Sequence, residues 1–152
     1  VLRNHPRSVN PRIKSNNLLN NALAMQEALR NGADEALMRN HRGEIAECAQ
    51  ANLFIVRDGE AITPSIETGL LEGVTRNFIF EVGQTIGIPV RSDVLHDSDL
   101  ETADEIFITS STREVLPVTT VDGRPVGKGL PGPITQNLAD AFRSKADQLT
   151  RS

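Results

Sequence analysis

Two Asp-Gly pairs, Asp58-Gly59 and Asp122-Gly123, punctuate this chain, and each follows a short run of β-branched and large apolar residues. NLFIVR (52–57) leads into the first pair and AITP (61–64) leaves it, while LPVTTV (116–121) leads into the second. Asp and Gly tolerate the positive φ angles of a tight two-residue turn, so these pairs predict hairpins and hence an antiparallel component in any sheet the chain forms. Other strand-like runs are EALMRN (35–40), EIAECA (44–49), IPVRSDVL (88–95) and EIFITS (105–110).

Helical spacing interrupts these runs. From Ser15 to Asn31, Leu18, Leu19, Ala22, Leu23, Met25, Ala28 and Leu29 recur at intervals of a helical face, with Gly32 placed as a left-handed C-terminal cap. Val74, Phe78, Val82 and Ile86 lie four apart and predict a second helix beginning near Gly73. A short helix is expected at DSDLETAD (97–104), and a last one from about Ile134 to Gln148, announced by Pro131-Gly132-Pro133. Strands and helices alternate without a strict βαβ rhythm and without an internal repeat, so the expected class is mixed α/β (α+β) with hairpins in its sheet.

The 152 residues suit one domain able to bury a core unaided. A net charge of −4 with 24% charged residues leaves no basic tract for nucleic acid. No apolar run approaches the roughly 20 residues of a membrane helix, and VLRNHPRSVNPR has no apolar signal core. Cys48 is the single cysteine, which rules out an intrachain disulfide or a Cys-based metal site and suits a reducing cytoplasm. The three His residues lack helix-based metal spacing, and no Walker or Rossmann glycine motif is present.

Four stretches carry candidate chemistry. Lys14, the only Lys before Lys128, sits beside apolar Ile13; such an amine either acts as a nucleophile with depressed pKa or snorkels from a strand edge to solvent. In RGEIAECAQANLF, alternation puts Glu47 on the Ile45 face, directed inward. A buried carboxylate there needs a cation, either a structural Arg or the protonated nitrogen of a ligand. LLEGVTR (70–76) offers the N–H groups of a helix start and the Thr75 hydroxyl, which suit either a phosphate or plain N-capping. ITSSTRE (108–114) places four hydroxyls within 109–112, able to hold phosphate or carboxylate oxygens or to form a Ser/Thr turn. An amine for an imine link, a carboxylate for a pyridinium nitrogen and donors for a phosphate are together the demands of pyridoxal 5′-phosphate.

IKSNNLLNNALA, GEIAECAQANLFIVRDG, TPSIETGLLEGVTR and ADEIFITSSTREVLPV, followed by VDGRPVG and GPIT, resemble in that order the large C-terminal domain of class IV (fold-type IV) pyridoxal-phosphate aminotransferases. The resemblance runs from about Pro11 onward, and the family includes branched-chain and D-amino acid aminotransferases and aminodeoxychorismate lyases. It implies a mixed sheet or pseudo-barrel with flanking helices over residues 13–152. It also implies a linker remnant at 1–12, with the family's smaller N-terminal domain absent. Transferred position by position, it makes Lys14 the residue that links covalently to the cofactor, and Glu47, 33 residues later, the carboxylate facing pyridine N1. Val74 and Thr75 would grip the phosphate, with Ser111 as a second phosphate ligand and Thr112 meeting the substrate carboxylate. The expected reaction passes an amino group from an amino acid, branched-chain-like, to a 2-oxo acid in a cytoplasmic homodimer. A lyase that releases pyruvate and a catalytically silent domain are the alternatives. Two departures from the family's pattern leave substrate choice open: Thr112-Arg113 is bulkier and more charged than usual, and Leu18 and Leu19 stand where an aromatic commonly follows the lysine.

Overall fold

The computed structural model describes residues 3–4 and 18–151, so the Lys14 expectation lies outside the described residues. Elements follow in the order β1 (Arg3–Asn4), α1 (Leu19–Arg30), β2 (Leu37–Asn40), β3 (Ile45–Cys48), β4 (Asn52–Arg57), β5 (Glu60–Pro64), a 3-10 turn (Ile66–Thr68), α2 (Val74–Ile86) and β6 (Val90–Asp93). They continue with α3 (Asp97–Glu101), β7 (Glu105–Ser110), β8 (Glu114–Val118), β9 (Thr120–Val121), β10 (Arg124–Pro125) and α4 (Pro133–Arg151).

Both Asp-Gly pairs form the expected turns. Asp58 and Gly59 have φ of 51° and 78°, and Asp122 and Gly123 have 48° and 75°. Paired positive φ values twist the chain in the sense of the flanking strands, so Arg57 meets Glu60 and Val121 meets Arg124 across the two hairpins. The principal sheet has the order β6-β5-β4-β7-β8. It is mixed, because β5 and β6 run parallel while β4 pairs antiparallel with both β5 and β7. A smaller sheet, β1-β2-β3, is tied to the segment after β6 by a bridge between Ile45 and Leu95.

The central strands of the principal sheet, β5, β4 and β7, are buried on both faces. Leu53, Ile55, Ile106 and Ile108 pack with Ile45, Cys48, Leu95 and Val126 on one side. Phe54, Val56 and Phe107 pack on the other with Ile79 and Val82 of α2 and Leu138 of α4. Phe54 and Phe107 stack with centroids 4.7 Å apart. Burial of both faces explains why NLFIVR and EIFITS read as continuous apolar runs rather than alternating ones. The first helix begins at Leu19 among the described residues, and Gly32 has the left-handed φ of 75° expected just beyond its end. The last helix extends beyond its expected bounds at both ends, reaching Pro133 and Arg151.

Candidate active site

The site is built at one end of the principal sheet, where β4 begins and β7 ends. Asn52 and Thr109 are paired across these strands. Alternation puts Asn52 with Phe54 and Thr109 with Phe107, on the face that α2 covers. Asn52 is buried, and its Nδ2 donates to the Leu71 carbonyl at 2.8 Å. The Leu71 N–H in turn donates to Glu47 Oε2 at 3.1 Å. Leu71 therefore links the carboxylate on β3 to the first residue of β4.

Glu47 is 8% exposed and directed inward, as alternation predicts. Its neighbours Ala46 and Cys48 are also buried, so this segment is enclosed on both faces rather than half-solvated. Burial raises the Glu47 carboxyl to a pKa of about 7, only partly offset by the Leu71 N–H. No Arg or Lys forms an ion pair with it among the described residues. The structural cation that would have explained an inward Glu is thus not found there, and a cationic ligand remains able to supply the charge.

The helix start at LLEGVTR is not a side-chain cap. Gly73 is the N-cap residue of α2, and no side chain bonds the helix end. The first intrahelical bond runs from the Asn77 N–H to the Gly73 carbonyl at 3.0 Å, which leaves the N–H groups of Val74, Thr75 and Arg76 ahead of the ladder. Val74 is 83% exposed while Thr75 is buried, so the helix end is open on one side and walled on the other. Gly73 is required by contact: a Cβ there would overlap the Asn52 carboxamide oxygen. Backbone at this point lies directly against the sheet, and the helix end is held over Asn52.

Thr109 is 1% exposed, and its Oγ1 has no hydrogen-bond partner among the described residues. Thr109 pairs across the strands with Asn52, against which the Gly73 backbone packs, and an orphaned hydroxyl on that face together with the free helix N–H groups fits an anion with several acceptor oxygens. Ser110 behaves differently, its Oγ accepting from the Arg113 N–H at 3.1 Å in a Ser/Thr turn. Ser111 and Thr112 occupy the tip of that turn, and Glu114 follows it with φ of 54°. Arg113 fastens the turn, its guanidinium reaching Glu35 at 2.8 Å and Gln50 at 3.1 Å.

The structure thus joins Glu47 to the α2 start through Leu71 and Asn52, and Thr109 carries that connection to the 110–113 turn. Asn52 is the contributor that the motif readings did not name; Gly73, Thr109 and Arg113 lie inside the motifs, Thr109 as one of the four hydroxyls of 109–112. Asn52 left a signal, since it is the one polar residue heading an otherwise apolar strand run. A groove of about 670 Å³ opens elsewhere, lined by Ala24, Glu27, Arg39, Asp97 and Arg124 among others, and none of the candidate residues within the described structure borders it. Among the described residues no cluster of three or more His, Cys, Asp or Glu could hold a metal ion, and no helix is long and apolar enough to cross a membrane.

Known proteins share this arrangement of elements. A branched-chain amino acid aminotransferase from Escherichia coli superposes with a TM-score of 0.90 at 37% identity, over 93% of this chain and 48% of that one. A branched-chain aminotransferase from Thermoproteus uzoniensis, solved with norvaline, gives 0.88 at 36% identity, over 93% and 47%. The fold is therefore that of the fold-type IV aminotransferases. The sequence family described as amino-transferase class IV matches residues 1–121, and the chain belongs to that family. A probable branched-chain-amino-acid aminotransferase of Aquifex aeolicus is 42% identical over 125 residues, covering 82% of this chain and 40% of the relative. A D-alanine aminotransferase of Listeria monocytogenes is 41% identical over 141 residues, covering 92% and 47%. The chain spans less than half the length of these relatives.

Proposed function

We propose that the protein is a pyridoxal-phosphate-dependent aminotransferase in which residues 13–152 form the cofactor-binding domain. Its substrates would be an amino acid, branched-chain-like, and a 2-oxo acid. The observation that carries this reading is Glu47, a buried carboxylate with pKa of about 7 and no ion-pair partner among the described residues. A protonated pyridine nitrogen is the charge it lacks, and an opposite charge there would return the carboxyl to its ionised form. The orphaned Thr109 Oγ1, the uncapped α2 end and the close approach at Gly73 fit the phosphate of the same cofactor.

When bound, the cofactor supplies an electron sink for the bonds at the substrate Cα. In this reading Lys14 provides the amine that links covalently to it, and then serves as general base at the substrate Cα. Glu47 keeps a proton on pyridine N1. The N–H groups of Val74 and Thr75, with Ser111, would hold the phosphate, and Thr112 would meet the substrate carboxylate. A homodimer in the cytoplasm is the setting we infer from the family and from the lone, buried Cys48.

The stretch AECAQANLF also resembles lyases of the family, so pyruvate elimination is the second reading. Assay of the full-length protein with an amino acid donor separates the two. Transfer predicts product formation that depends on an added 2-oxo acid. Pyruvate released from aminodeoxychorismate without any acceptor would overturn transfer in favour of the lyase.

A further inference from the structure

Arg76 is the most deeply buried cation among the described residues, 4% exposed at the third position of α2. Its NH2 donates to the Pro64 carbonyl at 3.0 Å and its NH1 to Asn77 Oδ1 at 3.1 Å, both neutral acceptors. Its Nε is buried without a partner among the described residues, and its guanidinium carbon lies 5.4 Å from the centroid of the Phe80 ring. No carboxylate forms an ion pair with it among the described residues. Burial lowers its pKa, with the Glu72 charge opposing that shift more weakly. An Arg nevertheless stays charged in a folded protein. The molecule therefore keeps one whole positive charge inside, beside a helix end that already carries positive partial charge.

Two like-signed sources side by side are costly unless an anion meets them. The other long helix of the sheet's same face shows how such an end is otherwise served: Glu105 Oε1 and Oε2 accept from the Ile134 and Thr135 N–H groups of α4 at 3.0 and 2.8 Å. Towards the opposite end of β7, on the same face, Thr109 pairs with Asn52 and brings a neutral hydroxyl with no partner among the described residues. We infer that Arg76 is the buried counter-charge of a phosphate held at the α2 N-terminus, acting through space and through the helix end rather than by contact. Its role is to raise the site's preference for a phosphorylated ligand over the same ligand without phosphate. This rests on the proposed cofactor reading.

The test is the affinity of the full-length protein for pyridoxal phosphate and for pyridoxal, followed by absorbance of the lysine adduct, in wild type, Arg76→Met and Arg76→Lys. Wild type is expected to prefer the phosphorylated form. Arg76→Met should weaken pyridoxal phosphate by about tenfold, the effect of one nearby charge in a partly buried setting, and leave pyridoxal within about twofold. Arg76→Lys, which keeps the charge but not the fork of donors, should restore most of the preference. Equal loss of both ligands in Arg76→Met, or loss of preference in Arg76→Lys as large as in Arg76→Met, would show a packing role and overturn the inference while leaving the cofactor reading intact. A wild type that does not distinguish the two ligands would overturn both. Should Arg76→Met fail to fold, Arg76→Lys is read against wild type: most of the preference kept supports the charge role, and loss of the preference overturns it.

Discussion

With a pKa of about 7 against an ordinary 4.5, Glu47 holds its proton more tightly in the folded chain than in the unfolded one. Between those values the folded state binds more protons, so stability falls as pH rises from about 4.5 to about 7 and the deficit persists above. Without cofactor, wild type should lose up to roughly 3 kcal/mol across that window relative to Glu47→Gln. Urea unfolding of both proteins at about pH 5 and pH 8, either side of most of that window, measures it, and an identical pH response would contradict the burial argument. Gly73 makes a second residue-scale prediction. Gly73→Ala forces its methyl onto the Asn52 carboxamide and should cost about 1–3 kcal/mol, read as a lowered unfolding midpoint. That Glu47 points inward was legible from alternation beside Ile45. That its only described hydrogen-bond partner is a backbone N–H was not, because Leu71 lies 24 positions away and no local pattern encodes such a contact.

Elements carry the site by their ends. α2 is held over the sheet by Ile79 and Val82 and stops at Gly87, so its uncapped N-terminus is a fixed feature rather than a frayed one. α4 depends on Glu105, whose carboxylate accepts two backbone N–H bonds at its start. Glu105→Ala should cost about 1–3 kcal/mol by leaving those buried donors unsatisfied, and chemical denaturation will show it. The turn after β7 depends on Arg113, and cutting it from Glu35 and Gln50 in Arg113→Ala should raise KM for the amino acid more than it lowers kcat. A fall in kcat alone would contradict that positioning role. Helices and hairpins were readable because their signals are local: a 3.6-residue repeat, and Asp-Gly where both φ values must be positive. The pairing of β4 with β7 and the parallel register of β5 with β6 join strands separated by other elements, so neither periodicity nor turn chemistry could announce them.

At the scale of the whole molecule, a mixed sheet whose central strands are buried on both faces provides a rigid floor, and every candidate residue within the described structure lies at or beyond strand and helix ends at its rim or on the adjoining β3. Such placement leaves the core free to be apolar and confines chemistry to positions where backbone donors are unpaired. The motifs quoted from the sequence fall on those ends, whereas the composition alone was silent about it. Whether this domain holds pyridoxal phosphate through Lys14 is decided by borohydride reduction of the full-length protein with the cofactor bound, followed by peptide mapping. A stable phosphopyridoxyl label on Lys14, lost in Lys14→Ala, is the expected result; label on another lysine, or no label in a folded protein saturated with cofactor, would contradict it.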